Sequence, residues 1–304
     1  MHRPGPDPRP TGTDRDPGSL TAVIDLHTHS TVSDGSDDPA RIAELAAGAA
    51  CSAVALTDHD SLAGIDAARK RADELGVTLV PGCEVSCVPV GSGGVHVLVY
   101  FVDDEGSALG TELGRLRQDR HQRNLALIDR LVALGIPVTY DQVVAVAGGE
   151  EGVGRPHFAE ALVAVGAAES VDDAFERYLA NGRLAYVPKG RLNPADVAQL
   201  ALASGGVAVL AHPFSTGLEG VGLARFVGEL AEAGFGGIEA VYGRYSPRQR
   251  QELGNLARRF DLVATGGSDY HGRTKPDLAV GTGRGDLKVH DGVLARLEAR
   301  RPGA

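Results

Sequence analysis

The residues that could do chemistry in this chain are mostly histidines and carboxylates. Of ten histidines, six fall in or directly after short apolar runs. His27 and His29 form a Leu-His-Thr-His segment that closes the run 22–26. In extended chain, residues i and i+2 project to the same face, so both imidazoles can reach one ion. Asp34 follows in Ser-Asp-Gly-Ser, His59 sits in Thr-Asp-His-Asp, and Glu84 closes Pro-Gly-Cys-Glu. His96 lies in Gly-Val-His-Val-Leu-Val, His212 in Ala-His-Pro, and Asp269 and His271 in Gly-Gly-Ser-Asp-Tyr-His. A lone histidine near a strand end is more often a structural hydrogen-bonder, and an isolated His-x-His pair is a weak signal. The collective pattern weighs more: so many ionisable groups at one place need a cation to compensate them. Imidazole plus carboxylate suits Mn²⁺, Zn²⁺ or Fe²⁺. With three divalent ions, the three carboxylates Asp34, Glu84 and Asp269 leave a centre of about +3, which attracts an anionic phosphate. Ser-His-Asp readings of Ser30, Ser33 or Ser268 carry little weight, because the nearby histidines serve better as ligands.

Those side chains need strands to carry them. Strands are expected at 22–26, 53–57, 77–82, 206–210, 236–241 and 262–265, with a hairpin over 85–102 turned at Gly91–Gly94. Helices are expected from Pro39, over 61–75 with Gly76 as its C-cap, and over 194–204, 222–233 and 247–260. Strand–helix alternation at this spacing implies right-handed βαβ units and a parallel sheet or barrel, with the ligand-type residues at the carboxyl ends of strands. Between about Ser107 and Lys189 the pattern turns wholly helical, so 107–190 reads as an inserted helical subdomain between barrel segments 20–106 and 191–304. Residues 1–19 hold five prolines and no apolar stretch, and read as a disordered tail.

Composition bounds the rest. With no Trp, one Met and 41 Gly, the core must be built from Ala, Val, Leu and Ile. No apolar run approaches the roughly 18–20 residues of a membrane span. A net charge of −10 disfavours non-specific binding to nucleic acid or anionic membrane. Three cysteines without a Cys-x-x-Cys argue for a reducing, cytoplasmic setting. No obligate protein partner is evident.

The ordered motifs across about 25–271 resemble those of the polymerase and histidinol phosphatase (PHP) superfamily of metal-dependent phosphoesterases. The resemblance implies an α/β fold, a distorted seven-stranded βα (TIM-like) barrel holding two or three metal ions. It implies that His27, His29, Glu84 and Asp269 hold the first metal. Glu84, His96 and His212 would hold the second, with Glu84 bridging, and Asp34, His59 and His271 the third. Two such ions roughly 3.5–4 Å apart would hold the attacking hydroxide and clamp the phosphoryl oxygens, with no protein nucleophile. Gly154-Arg155-Pro156-His157 and the segment 185–189 are similar to elements of the branch containing 3′,5′-nucleotide bisphosphate phosphatases and a 5′→3′ exonuclease. That branch implies a small nucleotide substrate, with short RNA or DNA 5′ ends as a further one, and Arg155, His157 and Lys189 as groups holding the phosphate that is not cleaved. A phosphatase for another small phosphomonoester, such as histidinol phosphate, and a non-catalytic metal-binding module are the alternatives.

The remaining features have plainer expectations. Cys83 and Cys87 read as small buried hydrophobes, and Arg115, Arg117, Arg120 and Arg123 as a solvated helix face. Gly-Thr-Gly-Arg-Gly (281–285) is a weak phosphate-loop match, Asp60 and Tyr270 are supports for neighbouring ligands, and His2, His121 and His290 are incidental.

Overall fold

A computed structural model describes residues 23–149, 153–188 and 190–303. The expected tail at 1–19 and Lys189 lie outside the described residues. Seven strands pair in chain order: β1 (Val23–Asp25), β2 (Cys51–Leu56), β3 (Thr78–Val90), β4 (Gly93–Tyr100), β5 (Val207–Leu210), β6 (Gly237–Tyr242) and β7 (Val263–Gly267). The ring nearly closes where the chain following β1 meets β7: the Leu26 amide donates to the Gly266 carbonyl at 3.2 Å, and the Asp269 amide to the His27 carbonyl at 2.8 Å. A Cβ on Gly267 would fall 2.4 Å from the His27 Cβ, so only glycine permits this approach.

The sheet is a seven-stranded α/β barrel, but it is not wholly parallel. The expected third strand and the first arm of the hairpin are one continuous strand, β3, and β4 runs antiparallel to both β3 and β5. The Gly91–Gly94 segment turns the chain back where a crossover helix would otherwise intervene, with Gly91 at φ 67°. The reversal brings the beginning of β4, which carries His96, to the rim where the parallel strands end.

Alternation along the strands sorts the apolar residues into two layers. Ile24, Ala53, Ala55, Val80, Leu98, Val207, Val209 and Val263 fill the barrel, joined by Leu287, Val289 and Val293 near the carboxyl terminus. Val54, Leu56, Val85, Val97, Ala208 and Leu210 face outward against helices α1 (Pro39–Gly48), α2 (Ile65–Leu75) and others. Asp38 caps α1 through the Arg41 amide with Pro39 at the first turn, and Gly76 ends α2 at φ 70°. Helix α2 starts at Ile65 and not Ser61, because Ser61–Gly64 form the loop after the His59 segment.

Helix α3 (Ala108–Ala133) opens the helical segment, followed by α4 (Tyr140–Ala147), α5 (Arg155–Ala164), α6 (Val171–Ala174) and a π-helical turn, Phe175–Leu179. Leu109 and Leu113 of α3 join the outer barrel layer, whereas Leu127 and Leu131 belong to a separate apolar cluster with Val143, Phe158, Leu162 and Leu179. At 26 residues, or about 39 Å at helical rise, α3 spans both. Helices α7 (Pro194–Ala203), α8 (Gly220–Glu232), α9 (Pro247–Arg259) and α10 (Gly292–Glu298) complete the fold.

Candidate metal centre

The loops at the strand ends are pinned by buried carboxylates. Asp25 accepts the amides of His27 (3.2 Å), Ser268 (2.9 Å) and Gly281 (2.7 Å), tying β1, the end of β7 and the glycine-rich turn together. The 281–285 segment therefore has a structural bond to Asp25. Asp58 accepts the Ser30 amide and the hydroxyls of Ser30 and Ser33, fixing the loop that carries Asp34. Both hydroxyls donate to Asp58, and Ser33 Oγ lies 3.4 Å from His29 Nδ1.

On this scaffold all nine sequence-identified donors converge. His27 Nε2 and His29 Nε2 are 3.1 Å apart. Glu84 Oε2 lies 3.3 and 3.2 Å from them, and Asp269 Oδ1 lies 3.5 Å from each. Donors about 2.0–2.1 Å from a tetrahedral ion sit about 3.3–3.4 Å apart, and the spacing of His27, His29 and Asp269 is close to that, while Glu84 also groups with His27 and His212. The other oxygen of Glu84 meets His96 Nδ1 and His212 Nε2, both at 2.9 Å. Asp34 Oδ1 lies 3.1 Å from His271 Nε2, and Asp34 Oδ2 lies 3.7 Å from His59 Nε2. His59 Nδ1 is buried without a hydrogen bond, 3.2 Å from Glu84 Oε2. Ligand atoms of four overlapping groups of three or four donors lie within 4.8 Å of one another.

Protonation follows from this crowding. Burial opposes ionisation of Glu84, yet His59, His96 and His27 around it hold the carboxyl well below its ordinary range. Burial likewise works against charge on His27, but Glu239, Glu84 and Asp269 outweigh it and raise its pKa well above 6.5. His29 goes the other way: burial and the neighbouring His271 push it down to about 3, leaving a neutral donor. Asp269 is held low against burial by His27 and Lys275. A cluster whose protons are placed this way suits a metal cation, which takes the place of the shared protons.

Several contributors have no motif signal. Glu239 on β6 accepts from His27 Nδ1 at 2.9 Å and from the His212 amide at 2.7 Å, which leaves His27 Nε2 facing the cluster. Its one signal was a charge inside the apolar run 236–241. Asp269 Oδ2 accepts from the Tyr242 hydroxyl (2.8 Å) and lies 2.5 Å from Lys275 Nζ. His212 and Asp269 adopt φ of 23° and 57°, the less common side of backbone space, which concentrates strain at the site. A cavity of about 440 Å³ opens here, lined by ligand residues with Phe214, Tyr245 and Lys275.

The other expected residues are elsewhere. Arg155 and His157 begin α5; Arg155 Nη1 reaches the Leu179 carbonyl at 3.3 Å and its guanidinium lies 5.6 Å from the Tyr186 ring centre. His157 Nδ1 accepts the Gly154 amide, a capping bond. Tyr270 bonds Asp37, while Asp60 binds the Ser86 amide and pairs with Arg120. Cys83 and Cys87 are buried. The solvated arginine face holds for Arg115, which pairs with Glu112 and Asp119, and for Arg117 with Glu105. It fails for Arg123, which is 8% exposed, because α3 is packed between α7 and α4.

Comparison with known proteins agrees with this geometry. The PHP domain matches residues 25–135. A 5′-3′ exoribonuclease of Haemophilus influenzae is 34% identical over 252 residues, covering 83% of this chain and 91% of that protein. This chain belongs to the PHP family. A 3′,5′-nucleoside bisphosphate phosphatase of Chromobacterium violaceum is 32% identical over 279 residues, covering 92% of this chain and 98% of that one. A crystal structure of a metal-dependent phosphoesterase from Bifidobacterium adolescentis superposes with a TM-score of 0.74 at 30% identity, covering 94% of this chain and 98% of that one. The PHP chain described here is accordingly a hydrolase, a metal-dependent phosphoesterase. No helix among its described residues is long and apolar enough to cross a membrane.

Proposed function

We propose that this PHP phosphoesterase removes a phosphate from a small nucleotide, a 3′,5′-bisphosphate above all, and acts on 5′ ends of short RNA or DNA. The observation that carries the reading is the convergence of Glu84 and Asp269 on the His27–His29 pair beside an open cavity. Two or three divalent ions, Mn²⁺, Zn²⁺ or Fe²⁺, would be held there, Glu84 serving two of them, with Asp34, His59 and His271 as the third set. Bound cations supply Lewis-acid activation of water and neutralise phosphoryl charge. The chain's own residues prepare that chemistry. Glu239 fixes the ring of His27, Tyr242 and Lys275 hold the outer oxygen of Asp269, and Lys275 adds positive charge to the cavity wall. The helical segment 107–190 selects the substrate, with Arg155 offering a planar fork to the phosphate that stays, assisted by His157 and Lys189. The similarity to relatives named for nucleotide and RNA substrates supports this choice. Three buried free cysteines accord with a reducing, cytoplasmic setting.

The test is metal analysis of the purified chain joined to a substrate panel with added Mn²⁺. The panel holds a nucleoside 3′,5′-bisphosphate, histidinol phosphate, an aryl phosphate, a cyclic phosphodiester and 5′-phosphorylated short RNA and DNA. Preference for the bisphosphate with two or three metals per chain supports the reading. Preference for histidinol phosphate, or metal without turnover on any member, overturns it.

A further inference from the structure

His59 stands apart among the donor imidazoles. The rings of His27, His29, His212 and His271 are each tethered through one nitrogen, to Glu239, the Ser33 hydroxyl, the Ser215 hydroxyl and the Asp269 carbonyl. His59 has no such tether. Its Nδ1 is buried without a hydrogen bond, and its Nε2 lies 3.7 Å from Asp34 Oδ2, beyond hydrogen-bond length. The aim of this ring must therefore come from the backbone that carries it.

That backbone is held on two sides. On the first, the Glu84 amide donates to the Asp58 carbonyl at 3.1 Å and the Asp60 amide to the Glu84 carbonyl at 3.0 Å, which sets His59 opposite Glu84. Asp60 then turns the chain away at φ 52°, a left-handed conformation that side chains adopt only at a cost. On the second side stands α3 of the helical segment. Arg120 reaches one oxygen of the Asp60 carboxylate, whose other oxygen accepts the Ser86 amide at 3.0 Å, and Arg117 donates to the Asp60 carbonyl at 3.3 Å. Asp60 is 1% exposed. A buried ion pair adds little net stability, because desolvation offsets the attraction. What this pair supplies is direction: a carboxylate gripped at both oxygens cannot rotate, and the strained turn beside His59 is kept in place.

We propose that Arg120, acting through Asp60, is a positioning residue for His59, so that docking of the helical segment on the rim sets how tightly the His59-dependent metal ion is held. This rests on the reading of His59 as a metal donor. Freeing α3 from the rim would loosen the turn after His59 and leave the tethers of His27, His212 and His271 untouched. The loss then falls on one ion and not on the whole centre.

The test measures Mn²⁺ binding to the full-length chain, by titration calorimetry and by metal analysis after dialysis, with no substrate present. His59→Gln marks the binding step that depends on this ring. In Arg120→Met that same step should weaken about 10- to 100-fold, the loss usual for a group that supports a metal ligand, while the other binding keeps its wild-type affinity. Combining the two substitutions should add little to His59→Gln alone, because both act through one ring. A merely structural pair would lower Tm and weaken all metal binding alike. Should the Met variant not fold, Asp60→Asn takes its place. The amide still accepts from Ser86 and tolerates the left-handed turn, but it loses the ion pair, and the His59 step should weaken in the same way. Unchanged affinity at that step in a folded variant, an equal loss at every step, or wild-type binding throughout in His59→Gln overturns the proposal. Binding is read without turnover, so a failed substrate panel and a failed positioning role give separate results.

Discussion

Asp269 shows how much one side chain is asked to do. One oxygen faces His27 and His29, the other is held by Tyr242 and Lys275, and its own backbone sits at φ 57°. Asp269→Ala should abolish hydrolysis and lower metal content while leaving the circular dichroism spectrum folded, since the apolar layers lie elsewhere. Near-wild-type turnover with unchanged metal would refute that role. Glu239 acts at one remove, through the ring of His27. Glu239→Gln should weaken metal affinity about 10- to 100-fold, and an unchanged affinity would remove it from the site. The metal-free chain holds a proton on His27 because Glu239, Glu84 and Asp269 surround it against the cost of burial. A raised folded pKa means that this proton stabilises the metal-free fold fully below 6.5 and that the contribution is lost as pH rises through the folded value. Metal must displace the proton, so affinity should climb with pH above 6.5 and loading should release protons into a weakly buffered solution. A pH-independent affinity would contradict the assignment.

The elements matter through the places where they come closest. Barrel closure depends on β7 approaching the segment after β1, where a Cβ on Gly267 would meet both the Cβ and the amide nitrogen of His27 within 2.5 Å. Gly267→Ala should cost about 1–3 kcal/mol in urea unfolding, as overpacking does, and should also reduce bound metal because His27 moves with its strand. Stability within experimental error of wild type would mean that the two strands part easily. The helical segment is joined to the rim by Arg120 on Asp60 and Arg117 on the Asp60 carbonyl. If it selects substrate, Arg155→Ala should lose about 1.5–3 kcal/mol of transition-state stabilisation on a nucleoside 3′,5′-bisphosphate. The loss on a simple aryl phosphate should be much smaller, and equal losses on both would leave that segment without a selective role.

For the whole molecule, the donors gathered at one rim make the fold and the metal interdependent. Strands from both barrel segments supply them, from His27 at one end to His271 at the other. Chelation should therefore lower Tm, and Mn²⁺ should restore it. At a free metal concentration of 100 Kd the stabilisation is about 2.7 kcal/mol, or roughly 4 °C for a chain of this size. An unchanged melting curve on chelation would show that the donors do not depend on the ion for their arrangement.

What the sequence determined unaided follows from local rules. Ligand types and spacing were legible because a metal centre tolerates few side chains, and strand ends were legible because branched apolar runs stop where polar residues begin. Helix caps such as Asp38 and Gly76 are likewise local, each set by its own few residues. Three things required the tertiary structure. The fusion of the expected third strand with the first hairpin arm, and the antiparallel pairing of β4 with β5, depend on which neighbour offers free backbone groups, and the apolar pattern of a buried strand reads the same in either direction. The roles of Glu239, Tyr242 and Lys275 arise from chain crossings that no spacing encodes, since His27 and Glu239 are 212 residues apart. Arg123 looked like its solvated neighbours on the same helix because a helical repeat shows which residues share a face, while only packing decides which face is covered.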